Sequence, residues 1–226
     1  GWKTNGWFLT DAEAAAAPDQ TPADQNPRQL GGNIRYVDIN DDGVVNDDDR
    51  TTIGNALPKW TGGFSSSFSF NGLSLSTVWT FSVGNDIMNF NKIENHFGIG
   101  RYNASKNFAN RWSYMNSEEE NLNATAPTVL DSRNLFSVID YWVEDASYLR
   151  MRSITLSYDF PISKMKLSFI QNAQIYLSGQ NLITFTEYSG YDPEVNLGEQ
   201  DNLLLGYDYG AYPAAKSYTL GFRFNF

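Results

Sequence analysis

The chain has 226 residues, of which 41% are hydrophobic and 15% are aromatic, so it carries enough apolar material for the core of one domain. Its net charge of −10 argues against a nucleic-acid partner, because such a partner requires a basic face. The chain contains no cysteine, which excludes disulfide bonds, a thiolate metal site and a cysteine nucleophile.

The first predicted strand lies at residues 3–9 and is followed by a long polar segment that reaches residue 59. Thr10 and Glu13 have the spacing of a capping box, so a short helix is predicted before Pro18. No apolar run in the chain approaches the ~20 residues of a membrane-spanning helix. Any crossing of a membrane must therefore be made by strands.

The polar segment contains a run of oxygen-bearing residues with the spacing of an EF-hand calcium loop, including Gly43 at the position of the sharp turn. The predicted ligands are five side chains and one backbone carbonyl, that of Val44: Asp38, Asn40, Asp42, Val44, Asn46 and Asp49. Six aspartates lie within these twelve residues, and their mutual repulsion favours a bound cation, either calcium or another divalent ion. The alternative interpretation is an Asx-rich turn that is solvated by water.

Two strands predicted next, Trp60–Phe70 and Leu73–Val83, alternate apolar and hydroxyl side chains around a two-residue Asn71-Gly72 turn. This hairpin contains no Asp, Glu, Lys or Arg. The solvent face of a soluble sheet usually carries Lys and Glu, whereas a face of Ser and Thr is typical of the water-filled lumen of a membrane barrel.

Three more strands are predicted at residues 148–160, 173–183 and 216–226. The last one alternates polar residues with an apolar face that reaches the end of the chain, as expected of a strand with lipid on one side and a lumen on the other. That apolar face consists of Tyr218, Leu220, Phe222, Phe224 and Phe226.

Arg150 and Arg152 do not fit this pattern. In a regular strand they would lie on the same face as Ile154, Leu156 and Tyr158, which should face lipid. Either the two arginines lie at the outer boundary of the membrane, or a bulge changes the register of the strand. The sequence leaves both explanations open.

The connections between these strands are alternately long and short, as in outer-membrane barrels. Extracellular loops are predicted at residues 10–59, 85–147 and 184–215, and short turns at residues 71–72 and 161–172. If residues 105–115 are helical, Phe108, Trp112 and Met115 share one face and should pack beneath the second loop. The predicted fold class is all-β: an antiparallel segment of a transmembrane β-barrel, residues 1–226, with long extracellular loops.

The chain is predicted not to be an enzyme. Asp192 and Glu194 form a carboxylate pair in a loop, which alone is weak evidence for catalysis. There is no phosphate-binding glycine loop and no nucleophile elbow. We therefore predict neither catalytic residues nor residues that bind an organic cofactor.

Seven segments together resemble the C-terminal part of the SusC/RagA type of TonB-dependent outer-membrane transporter. They are NIRYVDINDDG at 33–43, DRTTIG at 49–54, PKWTGGF at 58–64, SVGNDI at 82–87, YLRMRSITL at 148–156, SGQNLITF at 178–185 and YSGYDPE at 188–194. The resemblance covers nearly the whole chain. It implies the closing strands of a barrel of roughly 22 strands in the bacterial outer membrane.

The resemblance also implies partners. The plug and the earlier strands would belong to a part of the transporter outside this chain, and that part would contact the TonB complex. A SusD-like surface lipoprotein would cover the transporter, whose substrates would be glycans or oligopeptides. Six loop aromatics are expected to stack on sugar rings or to pack against the partner lid, or else simply to pack within the loops: Trp142, Tyr188, Tyr191, Tyr207, Tyr209 and Tyr212.

A second interpretation places the chain in a different class, a secreted β-sandwich stabilised by calcium that binds glycans or mediates adhesion. A sandwich would stay monodisperse without detergent, whereas a barrel segment would depend on lipid or detergent.

Overall fold

The computed structural model describes residues 1–20, 29–97, 103–128, 138–162, 169–194 and 205–226. Within them the strands are β1 (Thr4–Trp7), β2 (Ile34–Tyr36), β3 (Trp60–Phe70), β4 (Leu73–Val83), β5 (Asp86–Asn89), β6 (Val143–Asp145), β7 (Tyr148–Asp159), β8 (Asn172–Thr186), β9 (Tyr207–Asp208) and β10 (Ser217–Asn225). The α-helices are α1 (Asp11–Ala16), α2 (Phe90–Phe97) and α3 (Glu118–Leu122), and 3₁₀ turns lie at Asp47–Asp49, Lys106–Asn110 and Asp140–Trp142. None of the described helices has both the length and the apolar character needed to cross a membrane.

Two compact units make up the chain. The first comprises Gly1–Asn55, Ile87–Glu144 and Leu197–Gly210. The second comprises Ala56–Asp86, Asp145–Asn196 and Ala211–Phe226.

The second unit is built on one antiparallel five-stranded sheet in the order β10-β8-β7-β4-β3. The hairpin of β3 and β4 forms as predicted, with Asn71 and Gly72 at positive φ angles of 49° and 85°. Such angles belong to the tight turns that match the twist of a two-stranded hairpin.

Two neighbouring ladders of paired residues show how the sheet separates its faces. One ladder runs across all five strands and is wholly apolar: Leu220, Leu177, Leu156, Leu75 and Phe68. The adjacent ladder is wholly hydroxylated: Thr219, Ser178, Thr155, Ser76 and Ser67. Since successive residues of a strand point to opposite faces, one face of the sheet is apolar and the other is polar.

The apolar face is exposed over large areas. The side chains of Phe68, Leu220 and Phe222 are each exposed by 60% or more. Contiguous apolar surface of this kind marks a place where a protein meets lipid or a partner rather than water.

Irregular pairing in β7 and β8 explains why Arg150 and Arg152 depart from the alternating pattern. The pairing with β4 steps from Ser153 to Met151, so Arg152 is an extra residue in β7. The pairing with β8 is also shifted there, and Asn181 in β8 has a positive φ of 52°. The bulge explanation is therefore confirmed: Arg150 pairs with Thr80 on the polar face, and the Arg152 side chain donates to the Thr80 hydroxyl.

The strand predicted at residues 3–9 is shorter than expected and is not part of the five-stranded sheet. It is β1, which pairs only with β2 in a two-stranded sheet of the first unit. Four residues, with Gly6 at a φ of 69°, are too few for the about 9–11 that cross a bilayer.

The first unit has a hydrophobic core of its own, although its residues fall mainly in the predicted loops. Seven buried residues form this core: Ile34, Met88, Ile93, Phe108, Ala126, Ile139 and Trp142. Helix α1 begins as predicted, with the Thr10 hydroxyl accepting from the Glu13 N–H. The helix considered at residues 105–115 is only the short turn Lys106–Asn110, and Met115 is exposed while Phe108 and Trp112 are buried.

Candidate functional site

The predicted metal loop, residues 38–49, adopts a tightly turned backbone that its own side chains hold in place. Gly43 has a φ of 86°, and its N–H donates to Asp38 Oδ2 over 2.8 Å. The Asn40 and Asp42 side chains accept from N–H groups two residues ahead. The loop thus has the compact turn that an EF-hand loop requires, and the same hydrogen bonds also occur in an Asx-rich turn.

Asp49, the last predicted ligand, is fully buried and closes the loop. Its Oδ1 accepts from the Ile39 N–H at 2.7 Å, and its Oδ2 accepts from the Asn46 N–H at 2.8 Å. The hydrogen bond from Asn46, helped by those from Ile39 and Asn40, outweighs burial and lowers the pKa of Asp49 below its usual value. Asp49 is therefore a carboxylate.

One side-chain oxygen of Asp38 is the feature of this loop that favours a bound cation. Its Oδ1 is shielded from solvent and has no hydrogen-bond partner in the structure, so one carboxylate oxygen of the first ligand lacks a donor. The described residues nevertheless contain no group of three or more His, Cys, Asp or Glu side chains placed to hold a metal ion. The loop offers oxygen ligands in the predicted order but does not bring three carboxylates together.

A second site, which sequence reasoning did not find, lies on the polar face of the sheet. It is at the end of the sheet where β7 begins and β8 ends. The Arg150 side chain is only 4% exposed. Its Nη2 lies 2.5 Å from Asp192 Oδ1, its Nη1 lies 2.5 Å from Glu194 Oε2, and its Nε donates to Thr184. The loop carboxylates that appeared to be a weak catalytic pair are therefore the partners of a buried guanidinium.

The same cluster includes two more side chains. Arg152 forms an ion pair with Glu194, and the Tyr148 hydroxyl donates to Glu194 Oε1 over 2.5 Å. Two guanidinium groups thus face two carboxylates, which balances the charge of the cluster. Each charged group of the cluster has an oppositely charged partner, and removing a partner of Arg150 would leave a buried charge without compensation.

Asp192 connects the cluster to the last segment before β10. Its Oδ2 accepts from the Ala214 N–H at 2.9 Å, and its Oδ1 accepts from the Glu194 N–H at 3.0 Å. Burial alone would raise the pKa of Asp192, but the hydrogen bonds from Arg150, Ala214 and Glu194 outweigh it and lower the pKa below 3.8.

A cavity of about 480 Å³ opens beside this cluster, and we call it the tyrosine cavity. Its lining residues come from β7, β8 and the two segments 191–193 and 212–216: Arg150, Asn181, Thr184, Thr186, Tyr191, Asp192, Pro193, Tyr212, Pro213, Ala214, Ala215 and Lys216. This volume lies within the range of small-molecule sites, roughly 300–1,000 Å³.

The six loop aromatics named from the sequence divide into two groups. Trp142 and Tyr188 are buried, and Tyr207 stacks on the Phe90 ring. Tyr209 touches the same ring edge-on but is 54% exposed. Tyr191 and Tyr212 are 73% and 89% exposed and line the tyrosine cavity. Of the six, Tyr191 and Tyr212 are the two that line this cavity.

Known proteins similar to this chain were found by sequence and by structure, although no protein-family model matches it. TonB-dependent receptor P3 of Formosa agariphila is 30% identical over 213 residues, which cover 92% of this chain and 20% of that receptor. TonB-dependent receptor SusC of Bacteroides thetaiotaomicron is 33% identical over 88 residues, which cover 38% of this chain and 8% of SusC.

A structure of the RagAB peptide importer in its closed-closed state matches with a TM-score of 0.69 and 25% identity. The match covers 98% of this chain and 22% of that one. The chain therefore spans about a fifth of the length of its relatives. These likenesses confirm the antiparallel barrel fold class over the β-sandwich alternative, and the relatives are receptors and transporters rather than enzymes.

Proposed function

This chain belongs to the SusC/RagA type of TonB-dependent receptors, and we propose that it builds part of the barrel wall of an outer-membrane importer of glycans or oligopeptides. The paired ladders of the five-stranded sheet carry this proposal. The apolar ladder through Leu220 and Phe68 suits contact with lipid, and the hydroxylated ladder through Thr219 and Ser67 suits a water-filled lumen.

The partners follow from the place of the chain in such an importer. Strands β3 and β10 are the two edges of the sheet, so strands from the remaining part of the transporter would pair with them. That part would also supply the plug and the contact with the TonB complex. A SusD-like lipoprotein would cover the extracellular side, an arrangement supported by the likeness to RagAB and to SusC.

Uptake by living cells tests the import function. Cells that carry the gene for the full-length transporter should accumulate fluorescently labelled oligosaccharides or oligopeptides, and this uptake should stop after deletion of the gene or collapse of the proton gradient. Uptake that is unchanged by deletion of the gene would contradict the proposal. A cell that takes up label without the proton gradient would contradict its TonB-dependent part.

We also propose that residues 38–49 bind calcium or another divalent cation and thereby stiffen the surface of the first unit. The orphan Oδ1 of Asp38 favours this, because a cation would give that buried oxygen a partner. The ligands would be those predicted from the spacing: Asp38, Asn40, Asp42, the Val44 carbonyl, Asn46 and Asp49.

An Asp38→Ala/Asp42→Ala variant of the full-length transporter should lose the bound metal and become more sensitive to protease between residues 10 and 59. Elemental analysis of the purified protein and limited proteolysis measure these two effects. The matched control is Asp47→Ala/Asp48→Ala, which removes two exposed acids that are not predicted ligands. Equal metal content and equal cleavage in all three proteins would remove the calcium proposal.

A further inference from the structure

We infer that a set of polar contacts at one end of the five-stranded sheet insulates β4 and β7 from the first unit, so that the first unit can loosen or change shape while the sheet stays closed. We call this set the junction, and it consists of contacts among Ser82, Gly84, Asn85, Ala146, Ser147 and Thr186. The insulation is a property of the fold and does not depend on which solute is imported.

The chain leaves the second unit after β4 and returns to it before β7. Residues 87–144 belong to the first unit, whereas the residues up to Asp86 and those from Asp145 belong to the second. Gly84 has a φ of 81°, which turns the chain out of β4 in a conformation that other residues rarely adopt. The two connections then continue as β5 and β6, which are neighbours in a three-stranded sheet. Loss of structure in the first unit would spread to the five-stranded sheet along these two strands unless a stable contact stopped it.

Asn85 joins the departing chain to the returning chain. Its backbone carbonyl accepts from the Ala146 N–H at 2.9 Å, and its side-chain Nδ2 donates to the Ala146 carbonyl over 3.4 Å. Its Oδ1 accepts from the Ser82 hydroxyl at 2.7 Å. Asn85, Ser82 and Ala146 are all buried, so water competes little for these hydrogen bonds. Because buried hydrogen bonds are costly to break, this pair of chains resists fraying.

Ser147 connects the ends of three strands. Its hydroxyl accepts from the Gly84 N–H at 2.9 Å, its own N–H donates to Asp145 Oδ1 over 2.7 Å, and its carbonyl accepts from the Thr186 hydroxyl at 2.9 Å. Gly84 follows β4, Ser147 precedes β7 and Thr186 ends β8. The ends of these neighbouring strands are therefore bonded to one another by residues of the second unit alone.

The second excursion of the chain is closed in a similar way. Residues 197–210 belong to the first unit, and the segments on either side of them belong to the second. These flanking segments are joined by the Ala214 N–H, which donates to Asp192 Oδ2, and Asp192 is paired with Arg150 of β7. Both excursions thus leave and return through segments that are hydrogen-bonded to each other. Because proteins open locally in cooperative units, such closure allows one unit to open while the other stays folded.

Hydrogen exchange of the full-length transporter in detergent tests the insulation, with Phe108→Asp as the variant that disrupts the first unit. Phe108 is 3% exposed and lies in the core of that unit, so a buried charge there should unfold it. Exchange of residues 87–97 should rise at least about a hundredfold, whereas exchange of residues 73–83 and 148–159 should change by no more than about twofold.

Strand exchange that rises together with exchange of the first unit would overturn the inference. A Phe108→Asp transporter whose barrel does not fold, as judged by heat-dependent gel migration, would overturn it as well. Unchanged protection of residues 87–97 would also overturn it, because the first unit would then not unfold separately when its core is lost.

The part played by the junction is measured in the same background. Adding Asn85→Ala/Ser147→Ala to Phe108→Asp should raise exchange of residues 79–83 and 148–152 about tenfold. The matched control adds Ser65→Ala/Ser67→Ala, which removes two exposed hydroxyls of β3 outside the junction. Equal exchange in the junction and control variants would show that these contacts do not insulate the sheet. None of these measurements involves a transported solute, so the insulation and the import function can fail separately.

Discussion

At the scale of single residues, the cluster around Arg150 organises the end of the sheet where β7 begins and β8 ends. The guanidinium is buried, and its two carboxylate partners belong to the loop that follows β8. The four charged residues are visible in the sequence, but their ion pairs could not be predicted from it. The pairing depends on the bulge at Arg152, which turns both arginines to the polar face. The exposure of Tyr191 and Tyr212, in contrast to Tyr188, was equally invisible in the sequence, since all three are loop tyrosines.

Replacement of Arg150 by Met should destabilise the transporter by about 3–5 kcal/mol, because Asp192 and Glu194 would lose their main buried counter-ion. Denaturant unfolding of the full-length protein in detergent measures the change. The double variant Arg150→Met/Asp192→Leu should recover part of the loss, and Arg223→Met, on an exposed residue of β10, should change the free energy of unfolding by no more than about 0.5 kcal/mol. A single Arg150→Met variant as stable as Arg223→Met would show that the cluster does not stabilise the fold.

The pH dependence of the same cluster follows from the direction of the Asp192 pKa. Because this pKa is lower in the folded chain than its usual 3.8, the carboxylate stabilises the loop fully above that value. The stabilisation is lost as the pH falls further, through the folded pKa. Hydrogen exchange of residues 187–194 and 205–216, corrected for intrinsic rates, should therefore be constant between about pH 7 and 5 and should increase below about pH 4.

Asp192→Asn provides the comparison for that titration. It should exchange faster than the wild type at neutral pH, and the difference between the two proteins should shrink as the pH falls below about 4. A difference that stays the same from pH 7 to 3 would assign the protection to some other group.

At the scale of elements, the period-2 pattern predicted the strands that belong to the sheet with small errors at their ends. The hairpin of β3 and β4 has the predicted bounds, and β8 is longer than the predicted 173–183. The pattern was misleading in β7, because one extra residue at the bulge exchanges the faces of all the residues that precede it. It was also misleading at β1, where a few alternating residues pair with β2 rather than with the sheet.

Substitutions on neighbouring residues of β10 test the assignment of its faces. Leu220→Arg should cost about 2–4 kcal/mol of unfolding free energy in a bilayer, because it places a charge on the lipid face near the middle of the strand. Thr219→Arg, one residue away and on the polar face, should be tolerated. Unfolding of the two variants in lipid vesicles measures the contrast, and an equal cost for both would contradict the face assignment.

At the scale of the whole molecule, the chain combines a sheet unit with a unit formed largely from the predicted loops. The loops have a core that includes Ile139 and Trp142, and sequence periodicity could not predict it because its members come from distant, mostly non-periodic segments. The resemblance to the SusC/RagA type compensated for this, since it rests on segments from both units. The extracellular placement of residues 10–59, 85–147 and 184–215 remains a prediction.

The central claim is that alternate residues of the sheet touch hydrocarbon while their neighbours touch water. Since this chain has no cysteine, spin labels can be attached at Leu220→Cys, Phe222→Cys and Phe224→Cys, and on the polar face at Thr219→Cys and Arg223→Cys, once any cysteines elsewhere in the transporter are replaced. In native outer-membrane vesicles the first three labels should be accessible to oxygen and shielded from a water-soluble relaxation agent, and the other two should show the reverse. Aqueous accessibility of the labels at 220, 222 and 224 would contradict the account.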